Sequence, residues 1–443
     1  MGPRPDPFAS DETLPARTSV VVIGGGIIGV STALELAERG IDVVLCEKGG
    51  IAGEQSSRNW GWCRQMGRDP REIPLIQEAM KGWRGINQRI EGETGYRECG
   101  ILYLCQTDSA LAEREHWLDE HARPHQLSSR LVSAERAAEL SPGSPIKWKG
   151  GLYTENDGRA EPQKAAPAIA TAARRRGAKI FTGCAVRGIE KQTGRISGVV
   201  TEKGRIDCDA VVLAGGAWSR RFCTNAAVEL HQLNVVSSVL RTEPIETGLE
   251  VSTSGGNFCF RKRLDGGYTV ARGGLSVADI VPDSFRLFSH FLPNLRAEWS
   301  TLKLRLGKAF IDEARMDRHW ALDQVSPFEK VRTLDPEPTQ SILNEAVRNL
   351  QAAYPVFKEM KIAQTWGGCI DVTPDAVPVI SGVEGVPGFF IASGFSGHGF
   401  GLGPGAGKLA ADLVTGDRPC VDPAPFRHSR MTDGTAVKMM AEG

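Results

Sequence analysis

Residues 18–29 read Thr18-Ser19-Val20-Val21-Val22-Ile23-Gly24-Gly25-Gly26-Ile27-Ile28-Gly29, and the fold turns on them. The Val-rich run at 18–23 is short and apolar, the mark of a buried strand. Beyond the glycines the period changes. Val30, Ala33, Leu34 and Ala37 fall at i, i+3, i+4 and i+7, on one face of a helix. Gly40 ends that helix as a C′ residue. A second apolar strand, 41–46, stops at Glu47. Strand, tight turn, helix and strand make a βαβ unit, which requires a parallel sheet.

The glycines have the spacing GxGxxG. Gly24 allows the tight turn, Gly26 lets the backbone approach a pyrophosphate, and Gly29 lets the helix press on the strand. The helix start at Ile27 and Ile28 offers free N–H groups and a partial positive charge to phosphates. Glu47 lies 18 residues beyond Gly29, where a carboxylate bonds a ribose diol. An acid there disfavours a 2′-phosphate, so FAD or NAD is expected rather than NADP.

Two further segments decide between these. The polar loop 49–61 is longer than the usual strand–helix connection of about 2–6 residues, and long loops bind ligands. Near the other end, an apolar strand at 389–392 leads into Gly394-Phe395-Ser396-Gly397-His398-Gly399-Phe400-Gly401 and a helix at 405–414. This is a second glycine corner opening a second helix. A flavin needs one, because its C2 carbonyl and N1 gain negative charge on reduction; NAD does not.

Outward from these corners, 443 residues suffice for two or three domains and a large core. The chain has 51 glycines, where average usage of roughly 7% would give about 31. Lys+Arg and Asp+Glu are both 53, so no global field draws in nucleic acid or an anionic membrane. No apolar run reaches the ~18–20 residues of a membrane span. The Pro-rich start has no apolar core and reads as a loose leader, not a signal peptide. Ten scattered cysteines, with no CxxC and no repeating Cys/His spacing, predict reduced thiols in a cytoplasmic protein and no metal site.

The pattern predicts helices at 74–91, 163–176, 284–314, 340–354 and 405–414. Strands are expected at 101–106, 179–182, 186–190, 196–201, 205–213, 230–241 and 268–272, with a Gly- and Pro-rich segment from 367 onward. The expected fold is α/β: a Rossmann-like FAD-binding domain (GR2-type) with an inserted α+β substrate domain containing an antiparallel sheet. The cofactor domain is expected at 15–90, 155–225 and 360–425. The substrate domain falls at 91–154 and 226–359, with a helical insertion around 284–350. Flexible tails are expected at 1–14 and 426–443.

These features together resemble the D-amino-acid-oxidase superfamily of FAD-dependent amine oxidoreductases, which includes glycine oxidase and sarcosine oxidase. The resemblance covers nearly the whole chain. Besides the two corners it rests on Gln55-Ser56-Ser57-Arg58-Asn59, on Ala210-Val211-Val212-Leu213-Ala214-Gly215-Gly216-Ala217-Trp218, and on Trp366-Gly367-Gly368 with Thr373-Pro374-Asp375 and Pro378. In finer detail, residues 53–62 look like bacterial L-amino acid oxidases and dehydrogenases of this superfamily. The resemblance implies FAD; Cys369 lies near the position where some sarcosine oxidases bond the flavin covalently, but a plain buried cysteine and non-covalent FAD are favoured over a covalent bond. Ser56 and Ser57 would face the pyrophosphate or flavin, and Val186 the adenine. Ala214 and Gly215 would line the ribityl–adenosine path, and Gly397, Gly399 and Phe400 the pyrimidine side. Lys48, Gln55, Asn59, Gly61 and Trp62 would join them from the early loop, Trp218 from the strand end, and Gly394, His398 and Gly401 from the late corner.

Four arginines, Arg58, Arg64, Arg68 and Arg71, crowd the segment after the early loop. Interleaved acids make Arg68 and Arg71 read as a solvated face. Arg64 follows Trp60-Gly61-Trp62-Cys63, and its place resembles that of the arginine holding the substrate carboxylate in sarcosine oxidase; a guanidinium grips a carboxylate in a bidentate way, with a structural ion pair as the alternative. Two positions depart from the family. Ile370 stands where glycine and D-amino acid oxidases carry an arginine, and Gly401 where sarcosine oxidase carries a lysine. Both losses put weight on Arg64 and on Arg261. Trp218 and Trp366 are pocket-wall candidates, with core packing an equal alternative.

The resemblance thus implies oxidative deamination of a free L-amino acid to a 2-oxo acid and ammonia. Hydride would pass to flavin N5, and electrons to O2 or another acceptor. The alternatives are a D-amino acid or secondary-amine oxidase or dehydrogenase, a flavoprotein subunit, and a tRNA-modifying flavoenzyme domain, the last disfavoured by the neutral charge. No nucleic-acid partner is expected, and a homodimer is compatible with the sequence.

Overall fold

The computed structural model describes residues 2–439. Its centre is a six-stranded sheet in the order Val379–Gly382, Phe389–Ser393, Ala210–Leu213, Val20–Ile23, Val43–Cys46, Lys179–Phe181. Five strands are parallel and the edge strand Val379–Gly382 is antiparallel. Alternation along the strands feeds two cores. Val20, Val22, Val43 and Leu45 pack with the helices Ile27–Glu38, Pro162–Arg175 and Gly399–Thr415 on one face. Val21, Ile23, Val44 and Cys46 pack on the other with Phe222, Phe328 and the meander Val186–Gln192, Arg195–Thr201, Gly204–Asp207. Both faces are covered, which is why these strands read as unbroken apolar runs. Gly40 takes φ +72° and ends the first helix as the sequence requires.

The second layer is a ten-stranded sheet. Its backbone is the long strand Leu233–Thr242, paired antiparallel along its length with Ile362–Val372. Residues 362–372, within the cofactor segment expected from 360 onward, pair in this sheet. Ile101–Cys105, Gly150–Thr154 and Arg130–Ser133 continue the sheet at its far end. The segment 205–213 divides at Cys208: Gly204–Asp207 closes the meander and Ala210–Leu213 enters the central sheet. The run 284–314 is broken as well. Helices Pro282–Arg286 and Phe288–Ala297 are followed by strand Leu302–Arg305, parallel to Ser276–Asp279, and then by helix Lys308–Arg315. Leu302-Lys303-Leu304-Arg305 alternates with period two, a strand pattern the surrounding helical signal had masked.

Parts of the segments expected as flexible tails contact the body, while residues 1 and 440–443 of those tails lie outside the described residues. Asp11 exchanges hydrogen bonds with Ile180, and Arg430 pairs with Asp375. All ten cysteines are free. Among the described residues no helix is long and apolar enough to cross a membrane.

Candidate functional site

The early corner is tight in the manner its glycines imply. Gly24 has φ +109°, and a Cβ there would run into the Ala214 carbonyl; a Cβ on Gly29 would run into the Gly24 carbonyl. Ser56 Oγ accepts the Ile27 N–H at 2.8 Å, tying the early loop to the helix start. The N–H groups of Ile28 and Gly29 have no carbonyl one turn back and remain for an anionic guest. Glu47 stands at the end of its strand, its two oxygens accepting the N–H of Gly25 (2.6 Å) and of Gly49 (2.7 Å). Burial raises its carboxyl above the ordinary range, against the pull of Lys48 and those two N–H groups. Asn59 holds the loop by donating to the Gln55 and Ser56 carbonyls and accepting from Gly61 N–H.

The late corner runs through Gly394 (φ +76°), Ser396 (φ +51°) and Gly397 (φ +86°) into helix Gly399–Thr415. A buried carboxylate fastens it. Asp371 Oδ2 accepts the Gly394 N–H at 2.7 Å, and its backbone oxygen accepts the Ser396 N–H at 2.8 Å. Asp371 Oδ1 accepts from Gln55 Nε2 at 3.0 Å, so one side chain joins the late corner to the early loop. Burial raises the Asp371 carboxyl, opposed by these donors. The first N–H to bond within the helix is that of Leu402, to His398, which leaves those of Gly399, Phe400 and Gly401 to spare.

The two corners meet on one cavity of about 660 Å³. Gly24, Gly26, Ile27, Ile28, Glu47, Lys48, Gln55, Ser56, Asn59, Gly61 and Trp62 line it from the early side. Val186, Ala214, Gly215 and Trp218 line it along its length, and Gly397, His398, Gly399, Phe400 and Gly401 from the late side. These groups fit FAD: a carboxylate for a ribose diol, spare N–H groups at two helix starts, and glycine backbone where a Cβ would fill the space. Cys369 does not line the cavity, and burial pushes its thiol far up, so it remains protonated.

Four guanidiniums line the same cavity. Arg58 is spent on Asp335 (2.6 Å), and Arg272 pairs with Glu345 at 3.1 Å. Arg68 is only 3% exposed, not the solvated residue the charge pattern suggests. Its closest carboxylate oxygen, on Glu72, is 3.9 Å away, its Nη1 has no hydrogen-bond partner, and burial brings its guanidinium down to about 10. Arg71, half-buried, pairs with Asp69 and Asp375. Arg64 donates to the Met66 carbonyl and lies 5.9 Å from the Tyr103 ring centre. Among the described residues no carboxylate pairs with it. His398 Nδ1 is 2.9 Å from Glu72 Oε2. Burial and Arg68 lower its pKa against Glu72, so the imidazole is neutral near pH 7.

Some expected residues lie elsewhere. Gly29 and Gly394 shape their corners without lining the cavity, and Ser57 turns inward to the Glu54 carbonyl. Trp366 is buried, its Nε1 donating to the Arg58 carbonyl at 2.9 Å, which makes it core. Arg261 is 1% exposed and fully engaged by Glu161, so it offers nothing to a substrate. Trp218 does reach the cavity, but its Nε1 is given to Glu54 and Lys48 lies 4.5 Å over its ring. Asp371 and Arg272 escape the sequence reading, in which Arg68 reads as solvated.

Replacing Glu47 with Ala removes an acceptor held in place by two backbone N–H groups. Loss of charge-assisted hydrogen bonds worth about 1.5–3 kcal/mol weakens FAD binding roughly tenfold to a hundredfold. Titration of the stripped variant with FAD, followed by flavin fluorescence, measures this; unchanged affinity would take the ribose role from Glu47.

Residues 19–413 match the family described as FAD dependent oxidoreductase (DAO). A glycine oxidase of Pseudomonas aeruginosa is 25% identical over 92% of this chain and 97% of its own. The sarcosine oxidase subunit beta of an Arthrobacter species is 24% identical over 94% and 92%. Among solved structures, the L-amino acid deaminase of Proteus myxofaciens, in complex with anthranilate, superposes with a TM-score of 0.93. It is 34% identical over 97% of both chains. With its paired glycine corners and Glu47 at the end of the second strand, the chain belongs to the DAO family of FAD-dependent oxidoreductases.

Proposed function

We propose that this enzyme oxidises a free L-amino acid to the imino acid, which water hydrolyses to a 2-oxo acid and ammonia. One observation carries the reading: Arg64 presents to the cavity, beside the late glycine corner, a guanidinium with no carboxylate at ion-pair distance among the described residues. The likeness to an L-amino acid deaminase over 97% of both chains supports the L configuration. FAD, when bound, would supply the two-electron acceptor, with O2 or another acceptor as the final oxidant.

The chain's own part is binding and orientation. Arg64 holds the substrate carboxylate, and the Met66 carbonyl fixes one arm of its fork. Arg68, buried and short of a partner, adds positive potential without reaching water. Arg272 stands second to Arg64 as a carboxylate contact, because Glu345 already takes part of its charge. The neutral imidazole of His398 keeps its Nδ1 proton on Glu72, which holds the ring at the helix start rather than leaving it free as a base.

Anaerobic mixing with a panel of L- and D-amino acids, sarcosine and glycine tests the reading. L-amino acids are expected to bleach the visible flavin band within a turnover, and their D-enantiomers to leave it. Bleaching by sarcosine or D-amino acids alone overturns the proposal, and so does a yellow protein that no amine bleaches.

A further inference from the structure

Cysteine and histidine spacing in the sequence suggests no metal site, but the fold assembles one kind of donor set that spacing does not display. Among the described residues, Glu229, His231 and His290 bring a carboxylate oxygen and two ring nitrogens mutually within 4.8 Å. Glu229 and His231 precede the long strand Leu233–Thr242, whereas His290 sits on helix Phe288–Ala297. The two imidazole rings lie 3.7 Å apart between centres at 34°, and His231 Nε2 is 2.7 Å from Glu229 Oε1.

From this juxtaposition we propose a surface site for a borderline divalent cation of the zinc type, held by Glu229, His231 and His290 with water completing the shell. Two imidazoles and a carboxylate are a recurrent three-ligand zinc set that leaves a fourth position open. His231 is buried, and its ring stands fixed against that of His290. The nearby cation does not oppose the site strongly: Arg220 donates its Nε to Asp283 at 2.5 Å and its Nη1 to the Leu230 carbonyl at 2.6 Å. Glu229 is exposed on its side chain, so the ion has an entry path.

The site has a consequence for the cavity. Phe288, Phe291, Asn294 and Leu295, on the same helix as His290, line it. A cation bridging His290 to His231 clamps that helix to the body of the protein, and with it this stretch of wall.

Equilibrium dialysis of the tag-free holoenzyme against Zn²⁺, with metal counted by emission spectroscopy, provides the test. About one zinc per chain is expected. His290→Ala and Glu229→Gln should each lose it, and His116→Ala, an exposed histidine elsewhere, should keep it. Flavin absorbance at the wild-type ratio confirms that each variant is folded. Glu229→Gln changes a single exposed oxygen, so its result stands even if His290→Ala fails to fold. A wild-type protein that holds no zinc above the dialysis background overturns the site, as does zinc retained by both variants. Neither result bears on the oxidation of amino acids, because the readout is bound metal.

Discussion

Replacing Arg261 with Ala will cost the fold about 3–5 kcal/mol, the effect of leaving one member of a buried ion pair without its partner. Arg261 Nη1 and Nη2 meet the two oxygens of Glu161 at 2.8 and 3.1 Å, and its Nε donates to the Trp60 carbonyl at 2.5 Å. Glu161 is itself 5% exposed and takes a further N–H from Leu264. Without the guanidinium a buried carboxylate stays behind with only Arg263, 3.8 Å away, and the Leu264 N–H to answer it. Burial alone would raise the Glu161 carboxyl, but the charge and hydrogen bonds of Arg261 outweigh it and hold the group below its usual range. A carboxyl lowered on folding stabilises above its unfolded-state pKa of about 4.3 and gives up that stability as pH falls through the folded value. The gap between wild type and Arg261→Ala should therefore be widest near neutrality and narrow in acid. Urea unfolding at pH 7 and pH 4 measures both. The pair Arg261→Met with Glu161→Leu should recover much of the loss, since an apolar pair leaves no orphaned charge. A variant as stable as wild type whose KM rises would return Arg261 to the substrate site.

That residue also marks the limit of the sequence. Arg261 and Glu161 lie 100 positions apart, and nothing local in either segment announces the pair. A basic residue on a short strand can face substrate, solvent or a buried acid, and only the register of Cys259–Lys262 against Tyr268–Ala271 chooses. The early corner is the opposite case. Its turn, helix start and carboxylate lie within about 30 residues, so their chemistry can be read before any packing is known. The late corner is equally local. What joins the two corners is not, because Gln55 and Asp371 meet across 316 positions. Asp371 sits on a strand whose Gly367-Gly368 step reads as loop, and its strand character comes from pairing with Leu233–Thr242. Arg68 misleads for a related reason. Alternating charges signal a solvated face only if the segment lies at the surface, and here it passes beneath the cavity with Glu72 also buried.

Replacing Arg64 with Ala is expected to weaken substrate binding by about 2–4 kcal/mol, the effect of removing the charged partner of a desolvated carboxylate. That is roughly a 30-fold to 1000-fold rise in the dissociation constant. The position favours a large effect. Arg64 follows strand Trp62–Cys63, which is pinned to Gly158–Arg159, so the guanidinium is carried on a fixed base. Among the described residues it has no carboxylate at ion-pair distance, whereas Arg58 and Arg272 each have one. Arg64→Lys should fall between wild type and Ala, because an ammonium keeps the charge but loses the bidentate fork. Arg272→Ala should cost less than Arg64→Ala, since a neutralised guanidinium gives up less attraction. Anaerobic titration of the flavin absorbance with the best L-amino acid separates these effects, and FAD content must stay at wild type for the comparison to hold. An Arg64→Ala enzyme with unchanged substrate affinity would move the carboxylate anchor to Arg272 or Arg68. A variant that loses its flavin would make Arg64 part of the cofactor's seat.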